Sequence, residues 1–151
     1  MSTRQDFKDI ASKRLKTAEI LLSNQEWGMA VYMMGFVLEC ILKASACKVL
    51  NLTAYPEIKK TKNQQIVNYF RTHDFDMLLI VSGNSDIFDL QGVGASSWSG
   101  FTQEYTKIGK WTDIRYDILN QFDESLAKSL YKFLTEAPNG IIPLINSQNR
   151  W

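Results

Sequence analysis

The stretch AVYMMGFVLECILKA, residues 30–44, decides how this chain folds. Ala30, Met33, Met34, Val37, Leu38, Ile41, Leu42 and Ala44 recur at steps of three and four, and most positions between them are apolar as well. A helix that is apolar nearly all round belongs at the centre of a molecule, with other elements against every face. Upstream, Phe7, Ile10, Ala11, Leu15, Ala18, Leu21 and Leu22 set an amphipathic helix over residues 4–23, with Lys8, Lys13, Arg14 and Lys16 on the remaining face. The short joint at Ser23-Asn24-Gln25 makes the two an αα-hairpin.

Downstream the pattern is more broken. Residues 51–62 hold Pro56, three lysines and no periodicity, and read as a loop. Gln64–Phe70 and Asp74–Val81 read as short helices, the second closed by Ser82-Gly83-Asn84. Four of the eight glycines fall in residues 83–100, mixed with serines, which predicts a long flexible surface loop there. Helical spacing returns over Thr102–Ile114 through Tyr105, Ile108, Trp111 and Ile114. A last long helix runs from about Asp123 to Thr135, its acidic start matching the positive end of the helix dipole. Glu136-Ala137-Pro138-Asn139-Gly140 stops it. No segment alternates with period two for long enough to require a strand. The expected class is all-α, in one domain spanning the 151 residues.

Composition narrows the function without naming it. The 45% hydrophobic and 22% charged residues argue against disorder, and a net charge of +1 excludes a polybasic nucleic-acid or membrane binder. Trp27–Leu38, the longest uncharged apolar run, is stopped by Glu39 and falls short of the roughly 20 residues a bilayer needs. The opening Met-Ser-Thr-Arg-Gln-Asp-Phe-Lys-Asp has no apolar core of a signal peptide, so a cytoplasmic location and no membrane partner are expected. Cys40 and Cys47 lie two helical turns apart, about 10 Å along the axis, too far for a disulfide, and read as buried thiols. Charge is uneven: residues 1–71 sum to +5 and residues 72–151 to −4, read as internal pairing or as one basic face for a phosphate-bearing partner.

Few residues carry chemistry. Glu39, in the most apolar helix, reads as an i,i+4 ion pair with Lys43, or as a buried carboxylate whose partner is Lys43, an arginine of another helix or another subunit. Arg115 stands between Asp113 and Asp117 among aromatic residues, as a paired structural cation or a phosphate clamp. His73 is the only histidine; Asp74 and Asp76 after it either orient it or cap the helix that begins there, and capping is preferred. Gly92-Val93-Gly94 lacks the third glycine and the lysine of phosphate-binding loops. No Cys/His cluster has zinc spacing, so no metal and no cofactor is expected.

Three segments resemble those of HEPN domains. Glu39-Cys40-Ile41-Leu42-Lys43-Ala44 looks like their Glu-x-x-Leu-Lys-Ala signature, Thr72-His73-Asp74-Phe75-Asp76-Met77-Leu78-Leu79 is similar to a Thr-His-Asp-Leu-x-x-Leu segment, and Ile114-Arg115-Tyr116 resembles the Ile-Arg-Tyr before their last long helix. The resemblance covers roughly residues 5–146. It implies an up-and-down bundle of about five helices that pairs into a homodimer, with the arginine-bearing ends facing each other across the two-fold axis. It also implies a prokaryotic defence or toxin–antitoxin setting, often with a small nucleotidyltransferase as partner. Active members carry an Arg, four to six residues, then His motif and cleave RNA without a metal, arginine stabilising the phosphorane and histidine moving the proton. Arg115 matches the arginine, but the positions that spacing allows are Asn120, Gln121 and Phe122. Asn120 cannot exchange a proton near neutral pH. The expectation is therefore a dimeric binding module for a nucleotide, RNA or partner protein, without ribonuclease activity. Its groove is expected to hold Arg115, Asp117 and Asn120 with Lys43 and Glu39. The alternatives are a diverged metal-independent ribonuclease toxin using Arg115 with Asn120 or His73, and a structural subunit that neutralises a cognate enzyme.

Overall fold

The computed structural model describes residues 2–56, 64–107, 110–116 and 122–151, and every regular element among them is helical. In chain order these are α1 (Arg4–Ser23), α2 (Trp27–Val49), α3 (Gln64–Arg71), α4 (Phe75–Val81), α5 (Ser85–Phe88), α6 (Ala95–Thr106), a 3₁₀ helix (Trp111–Tyr116), α7 (Glu124–Thr135) and α8 (Ile141–Ser147). All-α is the class the sequence predicts, but the described residues divide into more pieces than the expected five.

The hairpin of α1 and α2 organises the rest. Thr3 begins α1 with a reciprocal cap: its hydroxyl accepts from the Asp6 amide at 3.1 Å, and the Asp6 carboxylate accepts from the Thr3 amide at 2.8 Å. Ala11 and Ala18 are fully buried, letting α1 lie close on α2, and the helices run antiparallel, with Phe7 edge-on to Tyr55 beyond the end of α2 and Arg14 over the ring of Phe36. α2 is central, packed by α1, α4, α7 and the 3₁₀ helix. The uncharged run at Trp27–Leu38 is only half of it. The full helix has 23 residues, and its most apolar 18-residue window reaches a mean hydropathy of 1.5, enough to cross a bilayer, but 78% of that window is buried in the protein. Its apolarity is spent on the core. Cys40 and Cys47 are buried free thiols, and burial holds Cys40 up at about 12, well into the unreactive range.

Gly35 gives α2 its closest neighbour. A Cβ there would stand 2.8 Å from Cε3 of Trp111 and 3.0 Å from Cε1 of Tyr105, so only glycine lets both rings seat on the helix. The Tyr105 hydroxyl, otherwise stranded in the core, donates to the Val31 carbonyl at 2.7 Å.

Three expectations need correction. Residues 83–100 are not one loop: α5 and the start of α6 lie there, with Ile87, Phe88 and Trp98 buried. The glycines that suggested flexibility serve close packing, since a Cβ on Gly100 would meet the Phe133 ring at 2.5 Å and one on Gly92 would collide with the Ile87 carbonyl. Thr102–Ile114 is not one helix: α6 ends at Thr106 and the chain resumes as the 3₁₀ turn. Beyond Gly140 the chain forms α8, unforeseen because Pro143 breaks the pattern; it sits in the first turn, where its missing N–H costs no internal bond. The capping reading of Asp74 holds, its side chain accepting from the Met77 amide at 2.8 Å.

Gly35→Ala is expected to lower stability by about 1–3 kcal/mol despite its better helix propensity, a loss of several degrees in Tm measurable by thermal denaturation.

Candidate functional site

Glu39 projects from α2 into the interior with 4% of its surface exposed. One carboxylate oxygen accepts from Lys43 Nζ at 2.6 Å, one turn along the same helix; the other lies 2.8 Å from Nδ1 of His73. The i,i+4 pair was expected. The second partner is a histidine 34 residues away rather than an arginine. Burial pushes the Glu39 carboxyl up, but the His73 hydrogen bond and the Lys43 charge more than offset it, so Glu39 titrates below its ordinary 4.5.

His73 is placed by backbone chemistry on both sides. Thr72 accepts from the Asp74 amide at 2.9 Å, and Asp74 caps α4, fixing the turn between α3 and α4. From across the site, Trp111 Nε1 donates to the His73 carbonyl at 2.7 Å. With Nδ1–H given to the buried carboxylate, the neutral imidazole keeps its lone pair on Nε2. The ring is more than half exposed and lines a cleft of about 460 Å³.

Aromatic rings wall this cleft: Phe75 stacks on Trp111 with centroids 5.5 Å apart and planes 14° apart, and Tyr105 meets Phe75 edge-on at 5.4 Å. Around its rim stand Asp74, Asp76 and Asp113 against a single lysine, Lys110. Asp76 also accepts from Trp98 Nε1 at 3.3 Å, which ties the rim to α6. The arrangement offers the edges of nearly buried rings, several acceptors and one oriented acid–base group.

The sequence-derived candidates divide accordingly. Glu39, Lys43 and His73 are brought together. Arg115 lies on the 3₁₀ helix, exposed, its guanidinium 4.7 Å from the ring centre of Tyr116; it is not among the residues that line the cleft. Among the described residues it has no carboxylate partner, so pairing with Asp113 is not realised. Asp117 and Asn120 lie outside the described residues. Among the described residues, Lys43 lines a different cavity from the His73 cleft, and Arg115 lines neither. Sequence reasoning missed the Glu39–His73 pair and the wall of Phe75 and Trp111. The available signal was a lone carboxylate in an apolar helix and a lone histidine, which no spacing rule connects.

Neither family models, nor curated proteins, nor solved structures yield a match to this chain.

A carboxylate titrating lower in the folded state contributes stability that is fully present above 4.5 and disappears as pH falls through its folded value. Glu39→Gln is therefore expected to cost about 1.5–3 kcal/mol at neutral pH. The gap to the wild type should close in acid, as read by urea unfolding across a pH series.

Proposed function

We propose that this chain is a HEPN-like helical domain that pairs into a homodimer and binds RNA or a nucleotide beside His73, without cleaving it. One observation carries the reading. Two of the three segments that resemble HEPN motifs, 34 residues apart, meet: Glu39 of the first bonds His73 of the second, and Trp111, at the start of the 3₁₀ helix that also holds Ile114-Arg115-Tyr116, bonds the His73 backbone. A base has an aromatic wall to stack on and aspartate acceptors for its donor edge. The phosphate belongs outside that acidic rim, where Lys110 and the exposed Arg115 supply positive charge. A cytoplasmic defence or toxin–antitoxin role, with a nucleotidyltransferase partner, goes with this reading.

A second reading has its own support. The Glu39-oriented imidazole is placed as a general base needs to be, so a metal-independent ribonuclease would use His73 on the 2′-hydroxyl and Arg115 on the phosphorane. Against it stands the absence of histidine at positions 120–122, which removes a contribution of roughly 10²- to 10⁴-fold.

Purified protein incubated with a labelled RNA pool and EDTA should leave the RNA intact while retaining it on a filter in a salt-sensitive manner. Arg115→Ala should weaken retention roughly tenfold. Cleavage that is lost in both Arg115→Ala and His73→Ala would establish the ribonuclease instead. Retention unchanged in both variants would show that neither residue belongs to a nucleic-acid site.

A further inference from the structure

Two cavities of this molecule are opposites in charge. One, of about 400 Å³, is lined by Lys43 and Arg71 and by no described carboxylate. In the other, the His73 cleft, carboxylates dominate and most donors are already spent. Trp111 Nε1–H and the Tyr105 hydroxyl go to the carbonyls of His73 and Val31, both at 2.7 Å. The Thr102 hydroxyl donates to the Trp98 carbonyl at 2.9 Å and the Thr106 hydroxyl to the Gln103 carbonyl at 2.8 Å, which leaves each only lone pairs for a guest. His73 gives its Nδ1–H to Glu39. Among the described side chains lining the cleft, Lys110 and Thr112 alone keep an unspent donor. Acceptors are plentiful by contrast. Asp74 and Asp76 each bond the protein through one oxygen and keep the other free, and Asp113 has no partner among the described residues. Three carboxylates against one ammonium in a concave site focus a negative potential.

We infer that the His73 cleft binds a linear aliphatic polyamine, of the putrescine and spermidine class. Such a chain brings what the lining lacks, because every ammonium carries several N–H donors together with its positive charge. Its methylene spacers pack against the edges of Phe75, Tyr105 and Trp111, which are nearly buried. A single metal ion does not fit this lining: among the described residues no three His, Cys, Asp or Glu side chains converge on one point. Carboxylates that do not converge suit charges spaced along a chain. The volume of about 460 Å³ falls in the range of small-molecule pockets. The inference goes beyond the RNA reading, which asks these aspartates only to accept from a base edge and sends the phosphate to Arg115, outside the cleft.

The test exploits the single histidine, whose Cε1 proton gives one unambiguous resonance. The intact protein, in salt that screens exposed charge, is titrated with spermidine, putrescine, butylamine, 1,4-butanediol and Mg²⁺, followed by calorimetry and by the His73 resonance. Spermidine should bind more tightly than putrescine and putrescine more tightly than butylamine, the diol should not bind, and the resonance should move with the heat. Asp113→Asn, at an exposed side chain without a partner, and Asp76→Asn, which can still accept from Trp98, should each weaken spermidine about three- to fivefold. Lys110→Ala removes the competing ammonium and should tighten spermidine about twofold, while the RNA reading expects the same variant to lose RNA. Failure of every amine to bind at millimolar concentration would overturn the inference. So would heat with an unmoved His73 resonance, or affinity unchanged in both aspartate variants, since either places the amine elsewhere. Displacement of spermidine by Mg²⁺ at equal charge would reduce the effect to diffuse counter-ion attraction and overturn it as well. Arg115→Ala leaves spermidine binding intact if the inference holds, so its failure is distinguishable from that of the RNA reading.

Discussion

A single carboxylate in the most apolar helix constrains this molecule. Glu39 cannot be left alone at that depth, because an unpaired buried charge costs several kcal/mol. Its neighbours are arranged to prevent that: Lys43 from the next turn and His73 from the joint between α3 and α4. The α3–α4 turn must then pass close to the middle of α2, which brings Phe75 and Trp111 into the same wall. The cleft is thus a by-product of satisfying one ion, and the imidazole at its edge is oriented for the same reason.

The uneven charge along the sequence becomes spatial here. Every residue lining the cationic cavity comes from residues 1–71, and every residue lining the aspartate-rimmed cleft comes from residues 72–151. The two halves do not simply neutralise each other across their packed faces. They build two cavities of opposite character that Glu39 links, since it bonds Lys43 of one and His73 of the other. A contact that crosses between the halves is Glu39 with His73, whereas the Arg150–Asp86 ion pair lies wholly within the acidic half.

Helices whose apolar residues repeat over many turns were legible in the sequence: α1 and α7 begin and end close to the predicted residues, α2 extends beyond the predicted 30–44 at both ends, and Asp74 caps α4 as read. Local rules failed where packing overrode them. Gly92, Gly94 and Gly100 looked like loop residues because flexibility is what glycine signals in isolation, yet each sits where a neighbouring ring or carbonyl leaves no room for a side chain. Pro143 hid α8 because a proline penalty that applies in mid-helix vanishes in the first turn. Glu39, Lys43 and His73 were each picked out by residue type and the Glu39–Lys43 pair was expected, but the meeting with His73 was not, since contact over 34 residues is a property of the fold. Arg115, whose acidic neighbours in sequence suggested pairing, lies over Tyr116 and has no carboxylate partner among the described residues.

The bare backbone at Gly35 has an effect beyond tight packing. It sets the depth at which Trp111 and Tyr105 rest on α2, and those rings are the inner wall of the His73 cleft. The width available to a bound molecule is therefore governed from the opposite side of the wall, by a residue no ligand reaches. Selectivity between larger and smaller ring systems can be retuned from the core, leaving the polar rim untouched.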